Sequence, residues 1–154
     1  MVRISAERQT RNSIALLVAV HLALATFTVV VGFLMAGAAA QDGSGAAVWY
    51  RSLGVLGAVP LAVLAVTLVR LDAAPPPLAL RLTRVARASY LAIAAVVVVA
   101  IVAAAARFAE LSTAVVVMLQ PIAALCGAPA TLTFFRDRSA GSASSGTGDE
   151  PVTP

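Results

Sequence analysis

Four long apolar runs alternate with short polar connections along this chain. The first covers residues 14–37 and carries no formal charge. The others fall at about residues 53–69, 88–106 and 111–135. A helix needs roughly 20 apolar residues to cross the hydrocarbon core, which is about 30 Å thick. The pattern therefore predicts an all-α integral membrane protein with four transmembrane helices. Residues 1–13 form a polar N-terminal segment, 14–135 the transmembrane domain, and 136–154 a Ser/Gly-rich tail expected to be disordered.

The connections order the spans. AAAQDGSGAA after the first run is rich in turn residues. The link between the third and fourth runs is very short, so those helices are expected to be antiparallel neighbours. The helices are thus expected as two antiparallel hairpins. Between the hairpins lies the basic stretch of residues 70–87, with Arg70, Arg81, Arg84 and Arg87 against Asp72. Basic loops stay on the cytoplasmic side. With four spans, Arg3, Arg8, Arg11, Arg136 and Arg138 join them there, leaving Arg51 and Arg107 outside. Both termini are therefore expected in the cytoplasm.

Within the basic stretch, Pro75, Pro76 and Pro77 predict an extended segment. Leu78, Leu82 and Val85 then fall on one side of a helix, and Arg81, Arg84 and Arg87 on the other. Two readings fit this pattern: a short amphipathic helix on the membrane surface, or extra turns of helix 3. Trp49, Tyr50 and Arg51 have the character of an interfacial belt, and Arg107 and Glu110 are spaced to pair at the end of helix 3. Pro60, Pro121 and Pro129 sit inside apolar runs, where membrane helices tolerate them with a kink.

Composition strengthens the membrane reading. The chain has 154 residues, 60% hydrophobic and 12% charged, with mean hydropathy +0.95. Soluble domains carry about 25% charged residues. The net charge of +4 is best explained by cytoplasmic arginines near anionic lipid headgroups, and no nucleic-acid partner is expected. Every basic residue is Arg, which with abundant Ala and Val suggests a GC-rich bacterial genome and a place in the inner membrane. A cleaved signal peptide is the rival reading of helix 1, since AAAQ fits a cleavage site. Its apolar run exceeds the roughly 7–15 residues of a signal core, so helix 1 is kept as a span. One cysteine, Cys126, rules out an internal disulfide.

Little chemistry lies within the spans. His21 is the only histidine, and His21, Ala25, Thr28 and Gly32 share one face of helix 1. An intramembrane ionisable residue is a functional candidate by default. His21 could hold haem or move a proton; the plainer alternative is a neutral imidazole bonded within the bundle. Haem needs a second ligand at similar depth. Met35 and Met118 fall too far toward the outer side, whereas Cys126, or a second His21 across a homodimer, lies at the right level. A zinc site lacks ligands. Gln120, near mid-membrane, needs hydrogen-bond partners across helices or at carbonyls freed by Pro121. Small residues recur four apart at Ala15, Ala19 and Ala23, at Ala88 and Ala92, at Ala123 and Gly127, and at Ala124 and Ala128. Such spacing permits close helix contact. No acidic residue or arginine lies mid-span, which disfavours ion-coupled transport.

These features lead to an expectation of a non-catalytic accessory, assembly or scaffold subunit of a membrane complex. It would have no cofactor, and its partners would be anionic lipid and a membrane protein or a second copy. A haem-binding redox protein using His21 and a small permease or lipid-handling protein are the alternatives.

Overall fold

The computed structural model describes the backbone of residues 2–43, 45–71, 74–106 and 110–144, and the side chains of most of them. Arg3, Arg8, Asp72, Arg107 and Arg138, all used above to argue orientation or pairing, lie outside the described side chains. The described chain is helical: α1 (Val2–Gln41), α2 (Ala47–Leu71), α3 (Pro76–Ala105) and α4 (Leu111–Ser144). All four are long and apolar enough to cross a membrane.

Three boundaries differ from the sequence reading. Helix α2 starts at Ala47, so Trp49, Tyr50 and Arg51 are helical. Helix α4 runs to Ser144 rather than ending at Phe135. Helix α3 begins at Pro76, so most of the basic stretch belongs to it as extra turns. The prolines explain that start. Pro75 is the N-cap, with φ −65° and ψ 158°, and its carbonyl accepts from the N–H groups of Leu78 (2.9 Å) and Ala79 (3.0 Å). Pro76 and Pro77 occupy the first turn, where an N–H has no partner within the helix, so its loss costs nothing. Of the three prolines, only the cap is extended.

Helix α1 ends in a turn. Gly43 adopts φ +66°, the left-handed conformation common just beyond a helix C-terminus, and its N–H donates to the Ala40 carbonyl (3.2 Å).

Helix α2 is the most enclosed of the four and touches each of the others. Helices α1 and α3 have no close backbone approach. The α1/α2 contact is the most extensive, and it is built on missing side chains. A Cβ on Gly32 would stand 2.8 Å from the Gly54 Cα and 2.9 Å from the Tyr50 carbonyl oxygen. A Cβ on Gly57 would meet Pro121 Cγ and Thr28 Cγ2, each at 3.2 Å. Lipid is as apolar as leucine, so helices in it associate through close packing rather than escape from water. Small residues let the backbones come near enough.

Two apolar clusters fill the bundle. One joins Leu61, Leu64, Leu68 and Leu71 to Ala79, Leu82, Ile93 and Phe135. The other joins Ala36, Tyr50 and Leu53 to Ala100, Val117 and Met118. The small-residue spacing divides in two. Ala124 and Ala128 turn inward, whereas Ala15, Ala19, Ala23, Ala88, Ala92, Ala123 and Gly127 are exposed.

Candidate functional site

The stripe His21, Ala25, Thr28 and Gly32 is buried along its whole length. His21 itself is 4% exposed. Its Nδ1 lies 2.8 Å from the Leu17 carbonyl, one turn back, so Nδ1 is the protonated nitrogen of the neutral ring. Nε2 is then an acceptor, and the Tyr90 hydroxyl, 3.3 Å away, donates to it. The two rings meet edge to face, with centroids 6.5 Å apart and planes at 70°. Tyr90 is also a hydrogen-bond neighbour of Thr131, whose hydroxyl donates to the Gly127 carbonyl (3.2 Å). One polar chain thus ties α1, α3 and α4 together. It bridges α1 and α3, whose backbones stay apart.

The remaining hydroxyls bond within their own helices. Thr28 donates to the Leu24 carbonyl (2.7 Å), Thr67 to Leu64 (2.8 Å), Thr83 to Ala79 (2.9 Å) and Ser89 to Val85 (3.0 Å). In hydrocarbon this local bonding removes the cost of an unmet polar group. Gln120 is the exception. It is 8% exposed, and its Oε1 is enclosed without a donor.

The haem geometry can be tested on these contacts. Both ring nitrogens of His21 are engaged by protein groups, so iron at Nε2 would have to displace Tyr90. Cys126 is exposed and His21 buried, and the pair is not brought together. Met118 is buried in the cluster with Tyr50 and Leu53. Among the described residues, no three His, Cys, Asp or Glu side chains gather into a metal-binding group.

At the end away from most of the arginines, Tyr50 is 3% exposed rather than interfacial. Its hydroxyl accepts from the Glu110 backbone N–H (2.9 Å), pinning the start of α4 to α2. Its ring stands beside an open cavity lined by Met35, Ala39, Asp42, Glu110 and Thr113. Arg51 lies over the Phe33 ring at 6.0 Å, a cation–π contact between α2 and α1. Neither Tyr50 nor Tyr90 stood out as a bundle residue in the sequence. Tyr90 sits where an interfacial tyrosine is expected, and only its level with His21 across the bundle marks it as a partner.

At the opposite end, Arg70, Arg81, Arg84 and Arg87 are exposed, as is Arg136. The Arg136–Asp137 contact (3.7 Å) lies between highly exposed side chains and contributes little stability.

The His21–Tyr90 bond is expected to show as a coupling of about 0.6–1.5 kcal/mol in a cycle of His21→Leu and Tyr90→Phe. Reversible unfolding in bicelles measures it, and strictly additive single effects would refute the bond.

No family model matches this chain, and neither a curated protein nor a solved structure is similar to it.

Proposed function

We propose that this small multi-pass membrane protein is a non-catalytic accessory, assembly or scaffold subunit of a membrane complex. We place it in the bacterial inner membrane, as two antiparallel hairpins with both termini in the cytoplasm. The observation that carries the role is how its intramembrane polar groups are used. His21, Tyr90, Thr28 and Thr131 are bonded to their own helix or to a neighbouring one, which makes them fasteners of the bundle. A haem carrier would have to exchange the Tyr90–His21 bond for a metal bond. The hairpins are supported by the opposed register of α1 and α2, in which Thr28 faces Gly57 and Gly32 faces Gly54.

The working surface in this reading is the arginine end. Arg81, Arg84 and Arg87 project from the first turns of α3 and are free to meet lipid phosphates or acidic side chains of a partner. Purification of tagged protein from its native membrane in mild detergent is expected to recover a larger complex in fixed proportion. Replacing Arg81, Arg84 and Arg87 with glutamine should lower that recovery about tenfold, after allowance for salt screening. Membrane insertion, followed separately by alkaline extraction, should persist. Recovery of this chain alone, under conditions that keep other complexes intact, would overturn the accessory role. Reporter fusions after residue 154 and within residues 42–46 test the orientation; activity of a cytoplasmic reporter at the second site only would reverse it.

A further inference from the structure

The glycines that pack between spans have a visible reason. Gly32, Gly54 and Gly57 each face a neighbouring helix so closely that a Cβ would meet an atom at 3.2 Å or less. Gly127 has none. It lies inside α4, it is exposed, and a Cβ there would meet nothing within 4 Å. Glycine weakens a helix relative to alanine, so its presence implies a close approach that one copy of the chain does not supply.

Gly127 belongs to a seam. Val116, Gln120, Ala123, Gly127, Ala130 and Phe134 follow alternating steps of four and three residues, the spacing of a continuous helix–helix contact. Val116, Ala123, Gly127 and Ala130 are exposed, and Phe134 is half-buried. Gln120 sits among them with its orphaned Oε1. Among the described residues, this is the one buried side-chain nitrogen or oxygen without a hydrogen bond. The exposed α1 stripe of Ala15, Ala19 and Ala23 has no such atom, so it lacks the second mark of a missing partner.

A carboxamide is both donor and acceptor, and rotation about its last torsion exchanges the two ends. Another copy related by a twofold axis along the membrane normal brings an identical carboxamide to the same depth. Each –NH₂ then donates to the other Oε1. We propose that two copies of this chain pair through this face of α4, with the two Gln120 carboxamides bonded across the axis. The inference rests on the membrane-spanning reading above, but not on the accessory role. It leaves His21 inside each protomer.

Cross-linking in native membranes tests it. In a Cys126→Ser background, single cysteines from Ala123→Cys and Ala130→Cys should form covalent dimers under mild oxidation. Ala19→Cys and Ala92→Cys, on exposed faces of α1 and α3, should not. Adding Gly127→Leu should abolish the dimer. Because the Gly127 position opens on free space, that variant should unfold like the parent protein. Gln120→Leu should weaken pairing about three- to tenfold, read by energy transfer on dilution into excess lipid, and decides the matter even if Gly127→Leu misfolds. Dimers through Ala19→Cys or Ala92→Cys alone, adducts only with a different protein, or no product from Ala123→Cys and Ala130→Cys would each overturn the pairing. Alkaline extraction separates the failures. Protein lost from the membrane overturns the membrane reading and the pairing with it, whereas an inserted monomer overturns the pairing alone.

Discussion

Replacing Gly32 with leucine is expected to drive α1 from α2 and to cost more than about 3 kcal/mol of stability. The new side chain has nowhere to go. Its first carbon would stand 2.8 Å from the Gly54 Cα and 2.9 Å from the Tyr50 carbonyl oxygen, and both are backbone atoms that cannot rotate aside. Gly32→Ala already brings that carbon, and should cost about 1–3 kcal/mol. Gly54→Ala should behave alike, since its Cβ would meet the Gly32 Cα at 3.0 Å and the Thr28 carbonyl oxygen at 3.2 Å. The loss is large because the contact has little else behind it. Exposed apolar side chains on α1 and α2 are solvated by lipid, so only close approach holds the helices together. Gly37 is the control, because a Cβ there meets nothing within 4 Å and Gly37→Ala should be near neutral. Reversible unfolding in mixed micelles reads all four variants. Equal midpoints for Gly32→Leu and Gly37→Ala would show that the crossing does not hold the bundle.

Truncating Phe135 to alanine is the second large effect, expected at about 2–3 kcal/mol. The ring is fully enclosed, in one cluster with Leu68, Leu71, Ala79 and Leu82. It joins α4 to α2 and to the first turns of α3. A buried Phe→Ala change in a water-soluble core costs about 3–5 kcal/mol, made up of lost transfer energy and a cavity. In a bilayer the transfer part shrinks, because the separated helices remain in an apolar medium, while the lost dispersion contacts remain. Phe135 lies next to the exposed Arg136, where that medium gives way to headgroups, so part of the transfer energy survives. Leu119→Ala, at a residue 57% exposed on the same helix, should change stability by less than about 0.5 kcal/mol. A Phe135→Ala protein no less stable than Leu119→Ala would remove this cluster from the account.

The existence and number of the long helices were legible in the sequence because lipid imposes a length and an apolar composition. The buried stripe from His21 to Gly32 was legible as well, since its polar and small residues break an otherwise apolar helix. The faces of the alanine-rich segments were not. Ala19 and Ala124 look alike in sequence, yet one is exposed and the other buried, because inward and outward positions are both apolar in a membrane. Periodicity carries the most information when one face must be wet. For the same reason Tyr50 and Tyr90 resembled interfacial anchors, when each hydroxyl reaches another helix. The boundary at Pro76 was hidden by a rule applied too broadly: consecutive prolines favour extended chain, but not once a cap has set the first turn.

The continuity of α3 has a mechanical consequence. Arg84 and Tyr90 are six residues apart on one unbroken helix, about 9 Å along its axis. The turns that carry the charges and the turn that carries the hydroxyl are therefore a single stiff rod without a joint. A pull or twist on the arginine end by a lipid or a protein is delivered undamped to the Tyr90–His21 bond, and through Thr131 to α4. The charged end is a handle, and the buried polar chain is the point where its leverage is felt.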